Sequence, residues 1–429
     1  MSSKQGILFD LGEARKTDAT SSTFVKNMSM PVHRWFRYSA GFSAAWVRDL
    51  LEKEWQAGRR RVLDPFAGSG TVLLEAERRG LESTGIDAHP FVARIADAKL
   101  QWRSDAAAFH HFALAALERA KDLPAVTPVY PPLISKCYSD RSLDRLDRLR
   151  RAVREQDQGL AFSQLSWLAL VAILRECSPV GTASWQYILP KKNKARALDP
   201  YEAFERKVLE MRDDMRQRQS ELAGPAASFV SGDARTCLGV DDGWADLVVT
   251  SPPYSNNFDY ADATRLEMTF MGEIQNWGDL QDAVRNRLVR SCSQHVPDRS
   301  VDLEQTLASP ALEPIAGEVA DVCRKLAQVR LTKGGKKTYH LMIACYFLDM
   351  AAVWAALRRC CGSSSMVCFV LGDSAPYGVY VPVMEWMGRL ALANGFKKFR
   401  FEQTRERNRK WKNRKHRVPL CEGRLWVEG

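Results

Sequence analysis

A strand–turn–helix–strand unit near the N-terminus constrains the fold of this 429-residue chain more than any other feature. The apolar run 61–66 predicts a short buried strand, a glycine-containing turn follows it, and residues 71–79 predict a helix. Residues 82–87 then predict a second strand, and another helix begins after Pro90. A helical crossover between neighbouring strands implies parallel pairing, with helices on the faces of the sheet. We therefore predict an α/β fold.

The same strand–helix rhythm returns after residue 225 and predicts a mostly parallel sheet of seven strands. The predicted strands are 61–66, 82–87, 227–230, 246–250, 366–371, 398–403 and 424–428. No internal repeat accompanies them, so the chain is expected to form one sheet and not a repeat array.

Two helical segments interrupt the strand pattern. Leucines at helical spacing and a long charged helix predict that residues 102–225 form a mostly helical insertion without a strand-rich stretch. Residues 266–331 predict a second helical segment, and the polar residues 1–26 predict a flexible tail. The α/β domain is therefore expected in two parts, 27–101 and 226–429.

Positive charge is concentrated in two places. The chain has a formal net charge of +11, and residues 397–417 contain eleven Lys or Arg against two Glu, while residues 191–196 form a smaller basic cluster. A concentrated positive field favours a polyanion, because phosphate contacts release condensed counterions. A solvated basic face without a partner is the alternative. The candidate nucleic-acid-binding residues are Lys191, Lys192, Lys410, Lys412, Arg414 and Lys415.

Several classes of protein are disfavoured by composition. No apolar run approaches the roughly 18 residues that cross a bilayer, and the N-terminus has no apolar secretory signal. The ten cysteines form no Cys-x-x-Cys pair, so we expect buried reduced thiols and no metal site. These features predict a cytoplasmic protein that does not bind a membrane.

The turn after the first strand, DPFAGSGT at residues 64–71, predicts a ligand-binding loop. Glycine lets the backbone approach a ligand, and the N-terminus of the following helix offers free N–H groups. The spacing matches neither the dinucleotide fingerprint nor a P-loop. Asp64, Asp87 and Asp233 each follow a predicted strand, so they are expected to line one crevice at the carboxyl edge of the sheet. Asp87 stands where an α/β sheet places the carboxylate that binds ribose hydroxyls.

The strand at 246–250 runs into Ser251-Pro252-Pro253-Tyr254. Two prolines cannot donate ladder hydrogen bonds, so the strand must stop there. The carbonyl groups of this turn can point into the crevice, the hydroxyl before them can accept a hydrogen bond from an amino group, and the ring after them can stack on a planar base. The turn therefore predicts a site for an amino group on a planar ring.

With these two motifs the chain resembles the amino-group DNA methyltransferases, which make N4-methylcytosine or N6-methyladenine. The resemblance to their Rossmann-like catalytic domain, a class I S-adenosylmethionine-dependent fold, covers residues 28–100 and 226–270 and extends more faintly over 339–429. Ser251 is similar to the cytosine-N4 type, whereas adenine enzymes more often carry Asp or Asn at that position. The long insertion before Asp233 departs from the family's usual pattern.

This resemblance implies a role for each motif residue. Asp87 would hold the ribose of S-adenosylmethionine and Asp233 its adenine amino group, and the aromatic segment 36–43 occupies the place of a further cofactor-contacting motif. The residues around the methionine part would be Asp64, Phe66, Ala67, Gly68, Gly70 and Thr71.

The implied catalytic residues are Ser251, Pro252, Pro253 and Tyr254. The Ser251 hydroxyl and the Pro252 carbonyl would accept hydrogen bonds from the amino group of a flipped-out base, which localises its lone pair for direct displacement. Tyr254 would stack on that base. No covalent intermediate is needed, and the chain has no Pro-Cys dipeptide of the kind that carbon-5 enzymes use.

The implied partner is double-stranded DNA, with target recognition by residues 102–225 or 266–331. Adenine-N6 methylation, methylation of an RNA base, a protein-methylating enzyme and a non-catalytic scaffold are the alternatives. Only 63 residues precede Asp64, which disfavours a separate RNA-binding domain there, and the retained acids and Tyr254 disfavour a scaffold. No endonuclease motif is evident, so cleavage would require a separate restriction or defence partner.

Overall fold

The computed structural model describes residues 24–38, 40–126, 129–183, 187–194, 196–221, 224–296, 301–407 and 418–429. Nearly all of the predicted tail 1–26 lies outside these residues, as do the candidate DNA contacts Lys410, Lys412, Arg414 and Lys415. Of the basic run 397–417, residues 397–407 are described.

Nine strands occur in the described residues. They are β1 (Arg61–Asp64), β2 (Glu82–Asp87), β3 (Val180–Thr182), β4 (Ile188–Asn193), β5 (Ser228–Ser231), β6 (Ala245–Thr250), β7 (Cys361–Gly372), β8 (Lys398–Arg407) and β9 (Leu420–Glu428). Seven of them form one sheet in the order β5-β2-β1-β6-β7-β9-β8. The first five strands of that order pair in parallel, and β9 is antiparallel to both of its neighbours. The prediction of an α/β fold with a seven-stranded, mostly parallel sheet is confirmed, and the topology is consistent with a Rossmann-like methyltransferase fold.

Helices cover both faces of the sheet and form the insertion. They are α1 (Ala44–Gln56), α2 (Thr71–Arg79), α3 (Pro90–Leu100), α4 (Ala106–Asp122), α5 (Pro132–Cys137), α6 (Asp140–Glu155), α7 (Ala161–Cys177), α8 (Pro200–Gln219), α9 (Arg265–Met271), α10 (Leu280–Ala283), α11 (Leu303–Leu307), α12 (Ala316–Leu331), α13 (Tyr339–Cys360) and α14 (Val383–Ala393). The Ser43 hydroxyl accepts a hydrogen bond from the Trp46 N–H, which caps α1 as the sequence predicts.

Alternate residues of the central strands face opposite cores. Leu63 packs with α12–α14, whereas Val62 packs with α1 and α2 on the other face of the sheet. Trp354 of α13 stacks on Phe369 of β7, with ring centroids 4.6 Å apart. A third core joins α3 to α4 and α6–α8 of the insertion. The insertion is therefore packed against the α/β domain through α3 and is not a separate domain.

Helix α13 corrects the expectation that no segment is long and apolar enough to cross a bilayer. It has 22 residues and passes that test by length and composition, but 83% of its apolar window is buried inside the protein. Its apolar side chains pack against the sheet and α12, so it is a core helix.

The sequence predicts a mostly helical insertion without a strand-rich stretch, and the structure adds a short antiparallel hairpin, β3–β4, within it. The sequence of β4, ILPKKN, has no alternating apolar face, and only Ile188 is buried. Its proline suits a strand that has one neighbour, since an unpaired edge needs no N–H donor. The hairpin therefore forms because of tertiary contacts, and hydrophobic periodicity does not predict it.

Candidate active site

A cleft opens at the carboxyl ends of β1, β2, β5 and β6, and it holds about 760 Å³ of space, part of which is open to solvent. The predicted site residues that line it are Phe66, Ala67, Gly68, Thr71, Asp87, Asp233, Ser251 and Pro253. Asp64, Gly70, Pro252 and Tyr254 are not part of its lining. The structure thus brings the glycine loop and the proline turn to one edge of the sheet.

Two glycines with positive φ shape the loop between β1 and α2, Gly68 at +53° and Gly70 at +84°. A Cβ on Gly68 would lie 3.3 Å from Tyr38 Cε1, at the wall of the cleft. The Gly68 N–H donates to Asp87 Oδ2 at 2.8 Å, and the His89 N–H donates to Asp87 Oδ1 at 2.9 Å. The Asp87 carboxylate therefore fixes the loop against the end of β2.

Asp64 lies directly behind the loop with 1% of its surface exposed. Its Oδ1 accepts hydrogen bonds from the Thr250 hydroxyl at 2.6 Å and the Phe66 N–H at 3.1 Å. Its Oδ2 is buried and has no hydrogen-bond partner among the described residues. Burial raises the pKa of Asp64 to about 7, although both hydrogen bonds oppose that shift, and burial raises the pKa of Asp87 to about 6. A cation or a hydrogen-bond donor in the cleft would favour the ionised form of each acid.

Asp233 lines the cleft, but its carboxylate already has a partner. The Arg235 Nε donates to both Asp233 oxygens, at 3.0 and 2.9 Å, and the Arg235 backbone N–H donates to Oδ1 at 2.9 Å. Arg235 Nη1 also lies 3.5 Å from Asp349 Oδ1. A cofactor amino group at Asp233 would therefore share an acceptor that Arg235 orients.

Two hydrogen bonds orient the proline turn. The Ser251 hydroxyl donates to the Val370 carbonyl of β7 at 3.3 Å, so its oxygen lone pairs are directed away from that strand. The Tyr346 hydroxyl of α13 donates to the Pro253 carbonyl at 2.9 Å. These contacts leave the Ser251 oxygen as a hydrogen-bond acceptor at the cleft and use the Pro253 carbonyl structurally.

Tyr254 lies beside the end of β8. The Tyr254 N–H donates to the Tyr260 hydroxyl at 3.4 Å, and the Arg407 guanidinium carbon lies 5.5 Å from the centroid of the Tyr254 ring. A Cβ on Gly372 would lie 3.3 Å from Tyr254 Cε2 and 2.7 Å from Arg407 Nη1, so glycine permits both approaches. The described end of the basic run therefore adjoins the ring that is predicted to stack on a base.

Several cleft residues escaped the sequence analysis. Leu288 and Val289 come from the second helical segment, where they follow the 3-10 helix Arg285–Arg287. His89 also lines the cleft. No local pattern marks them, because their approach to the sheet edge is set by tertiary packing. By contrast, the aromatic segment 36–43 does reach the cleft, through Tyr38, Ala40, Gly41 and Phe42.

Lys191 and Lys192 lie on β4 of the hairpin, and both are exposed. The residue before β4, Tyr187, contacts the segment that follows Tyr254, since its hydroxyl accepts a hydrogen bond from the Asp259 N–H at 2.9 Å. The hairpin that carries these two lysines is thus joined to the segment that follows the proline turn.

The fold and cleft describe an α/β protein whose glycine loop and proline turn lie side by side at one edge of the sheet. In sequence the chain is similar to the Type II methyltransferase M.BsoBI of Geobacillus stearothermophilus, with 25% identity over 90% of the chain and 82% of that protein. It is similar to the Type II methyltransferase M.AvaI of Anabaena variabilis, with 24% identity over 87% of the chain and 81% of that protein.

A shorter similarity, 37% identity over 76 residues, relates 18% of the chain to 14% of the Type II methyltransferase M.MjaII of Methanocaldococcus jannaschii. No family model matches the chain, and no solved structure gives a significant match. The two long similarities extend over most of the chain, and they support a DNA methyltransferase enzyme.

Proposed function

We propose that this protein is a site-specific DNA methyltransferase that transfers a methyl group from S-adenosylmethionine to the N4 amino group of cytosine. The observation that carries the proposal is the direct hydrogen bond between the two motifs, from Thr250 at the start of the proline turn to Asp64 at the start of the glycine loop. A cofactor loop and an amino-binding turn at one sheet edge are what a direct transfer requires. The long similarity to Type II methyltransferases supports DNA as the substrate.

The cleft offers the groups that S-adenosylmethionine needs. The unpartnered buried Oδ2 of Asp64 is an acceptor beside a loop whose glycine leaves room for a ligand. In this proposal the methionine part lies against Asp64, Phe66, Ala67, Gly68, Gly70 and Thr71. Asp87 accepts hydrogen bonds from the ribose, and Asp233 accepts one from the adenine amino group. When bound, S-adenosylmethionine supplies an electrophilic sulfonium methyl group.

The proline turn activates the nucleophile. An exocyclic amino nitrogen is a weak nucleophile because its lone pair is delocalised into the ring. Hydrogen bonds from that amino group to the Ser251 oxygen and the Pro252 carbonyl localise the lone pair on nitrogen. The nitrogen would form a bond to the methyl carbon as the carbon–sulfur bond of the sulfonium breaks, and its surplus proton would pass to solvent, without a covalent intermediate on the protein.

Tyr254 and the residues around it hold the flipped base. A base inside a duplex cannot reach the sheet edge, so the target leaves the stack before the reaction. The Tyr254 ring, which is flanked by Arg407 and whose backbone N–H is held by Tyr260, then stacks on it. We propose cytosine as the target because Ser251 stands where adenine enzymes of the family more often carry Asp or Asn.

Target recognition is assigned to the insertion 102–225 and the segment 266–331, with phosphate contacts from basic residues such as Lys191 and Lys192. Phosphate contacts position the duplex, and base contacts specify the sequence. A restriction or defence enzyme that cuts the unmethylated sequence would be a separate chain.

Transfer of labelled methyl groups tests this proposal. The protein is incubated with methyl-labelled S-adenosylmethionine and with unmodified duplex DNA, total RNA or a histone mixture, beside a Ser251→Ala variant. We expect label in duplex DNA alone, and at least a 10-fold lower rate for the variant with unchanged cofactor affinity. Label in RNA or protein, with none in DNA, would refute the proposal.

A further inference from the structure

The β3–β4 hairpin is attached to the segment that follows the proline turn through one tyrosine. The Tyr187 hydroxyl accepts a hydrogen bond from the Asp259 N–H at 2.9 Å and donates to the Asp259 carbonyl at 3.5 Å. Its ring stacks on Phe258, with centroids 5.4 Å apart and planes inclined by 27°. Tyr187 therefore holds both the backbone and a side chain of this segment.

The contacts continue to the proposed catalytic tyrosine. The Phe258 ring packs edge-on against Tyr260, with centroids 4.7 Å apart and planes at 90°. The Tyr260 hydroxyl accepts the Tyr254 N–H at 3.4 Å, and Tyr260 also lines the cofactor cleft. Two ring contacts and one hydrogen bond thus connect Tyr187 to the backbone of Tyr254.

The opposite side of the same segment is fixed independently. Asp259 Oδ2 accepts from Arg285 Nη2 at 2.8 Å, and Asp259 Oδ1 lies 3.4 Å from His295 Nε2. Burial would raise the pKa of Asp259, but the hydrogen bonds from His295 and Arg285 outweigh it and lower the pKa to about 2. The segment is thus held between a buried ion pair on one side and the hairpin contact on the other.

We propose that Tyr187 is a positioning residue for the base-binding segment 254–260. The hairpin that carries Lys191 and Lys192 then sets the rate of methyl transfer and not only the affinity for DNA. This inference rests on the proposed function, because the segment binds a base only if the protein modifies nucleic acid. Double-stranded DNA is the partner whose phosphates the two exposed lysines fit.

Tyr130 provides a matched control within the same insertion. Its ring stacks on Phe270 with centroids 5.6 Å apart, and its hydroxyl donates to Asp147 at 2.9 Å. Tyr130 thus makes the same two kinds of contact as Tyr187 but does not touch the segment 254–260. Loss of general stability in the insertion would affect both tyrosines alike.

The test compares Tyr187→Phe and Tyr187→Ala with Tyr130→Phe and Tyr130→Ala in the full chain. We expect Tyr187→Phe, which keeps the ring, to lower kcat about 3- to 10-fold at saturating unmodified duplex DNA, and Tyr187→Ala to lower it further. The dissociation constant of Tyr187→Phe for S-adenosylmethionine should stay unchanged, and its unfolding temperature should fall no more than that of Tyr130→Phe. The Tyr130→Phe variant should keep the kcat of the unaltered protein.

Hydrogen exchange of peptides spanning 251–262 supplies a readout that does not depend on activity. Tyr187→Phe should speed exchange of the Asp259 amide several-fold, and Tyr130→Phe should not. The inference is overturned if the Tyr187 variants change only the KM for DNA, or if their exchange and kcat match those of the Tyr130 variants. If the unaltered protein fails to methylate DNA, the proposed function fails, and the exchange measurement still decides whether Tyr187 positions the segment.

Discussion

Thr250 and Asp64 join the two motifs of the candidate site, because the Thr250 hydroxyl donates to Asp64 Oδ1 at 2.6 Å. Thr250 is the last residue of β6 and Asp64 the last residue of β1, and these strands are parallel neighbours in the sheet. The strand end that leads into the proline turn thus fixes the acid that begins the glycine loop. The proline turn and the glycine loop are therefore separated by the spacing of two neighbouring strands.

Loss of this hydrogen bond should destabilise the protein in a pH-dependent way. Thr250→Val should lower the free energy of unfolding by about 1–3 kcal/mol, since it removes a donor from a buried carboxylate. The Thr250 hydrogen bond lowers the pKa of Asp64, so it favours the ionised form. The destabilisation should therefore be larger at pH 8, above the pKa of about 7, than at pH 5.5. Urea titrations at both pH values measure it.

Thr269→Val is the matched control, because that buried hydroxyl donates to the neutral carbonyl of Arg265 at 2.7 Å. Its effect on the free energy of unfolding should not depend on pH. Equal losses at pH 5.5 and 8 for Thr250→Val would show that Asp64 does not ionise in this range.

Affinity for S-adenosylmethionine should fall as the pH falls from 7.5 to 6. The pKa of Asp64 is raised to about 7 by burial, so this acid is mostly ionised at pH 7.5 and mostly neutral at pH 6. The positively charged methionine part binds the ionised form better, so the dissociation constant should increase about 5- to 10-fold over this range. Calorimetry at several pH values gives the curve. The Asp64→Asn variant should bind S-adenosylmethionine weakly, and its affinity should depend less on pH. A wild-type affinity that rises toward pH 6 would contradict the assignment of Asp64 to cofactor binding.

Removal of the Tyr254 ring should separate transfer from cofactor binding. Stacking on a base contributes about 1–3 kcal/mol, so Tyr254→Ala should lower kcat/KM for DNA by about 5- to 150-fold. The proposed cofactor contacts come from the glycine loop, Asp87 and Asp233, so the dissociation constant for S-adenosylmethionine should change less than 2-fold. Tyr254→Phe keeps the ring and should retain most activity. Loss of cofactor binding in Tyr254→Ala would exclude the stacking role.

Replacement of Lys191 and Lys192 by Ala should weaken DNA binding, because it removes phosphate contacts whose contribution to affinity depends on salt concentration. Each phosphate contact contributes about 0.9 to the slope of log K against log salt concentration, so the double variant should lose roughly 2 from that slope. Fluorescence anisotropy with a labelled duplex at several salt concentrations measures this. Lys53 and Lys333, which are exposed and outside the hairpin, provide a control pair. If the slope is the same as that of the unaltered protein, these lysines do not belong to the DNA-binding surface.

The elements whose ends are marked by glycine or proline could be predicted from the sequence. Helix α2 runs from Thr71 to Arg79 as expected, because glycines at 70 and 80 adopt left-handed conformations at its two ends. Strand β2 also has its predicted bounds. Strand β1 ends at Asp64 and not at residue 66 as predicted, since Pro65 cannot donate to the ladder.

The remaining features depend on contacts between distant residues. The hairpin β3–β4 has too few apolar positions to show a period, and it is defined by pairing and by the contact of Tyr187 with Asp259. The approach of Leu288 to the cleft likewise has no local signature. The pairing of Asp233 with Arg235 is local, and the arginine two residues after the acid was the available signal.

The central claim is the identity of the methylated atom, and nucleoside mass spectrometry tests it most directly. Unmodified duplex DNA is incubated with the protein and with deuterated-methyl S-adenosylmethionine, then hydrolysed to nucleosides, beside DNA treated with Tyr254→Ala. The account predicts labelled N4-methylcytosine with the unaltered protein and none with the variant. Labelled N6-methyladenine without N4-methylcytosine would contradict the assignment that rests on Ser251.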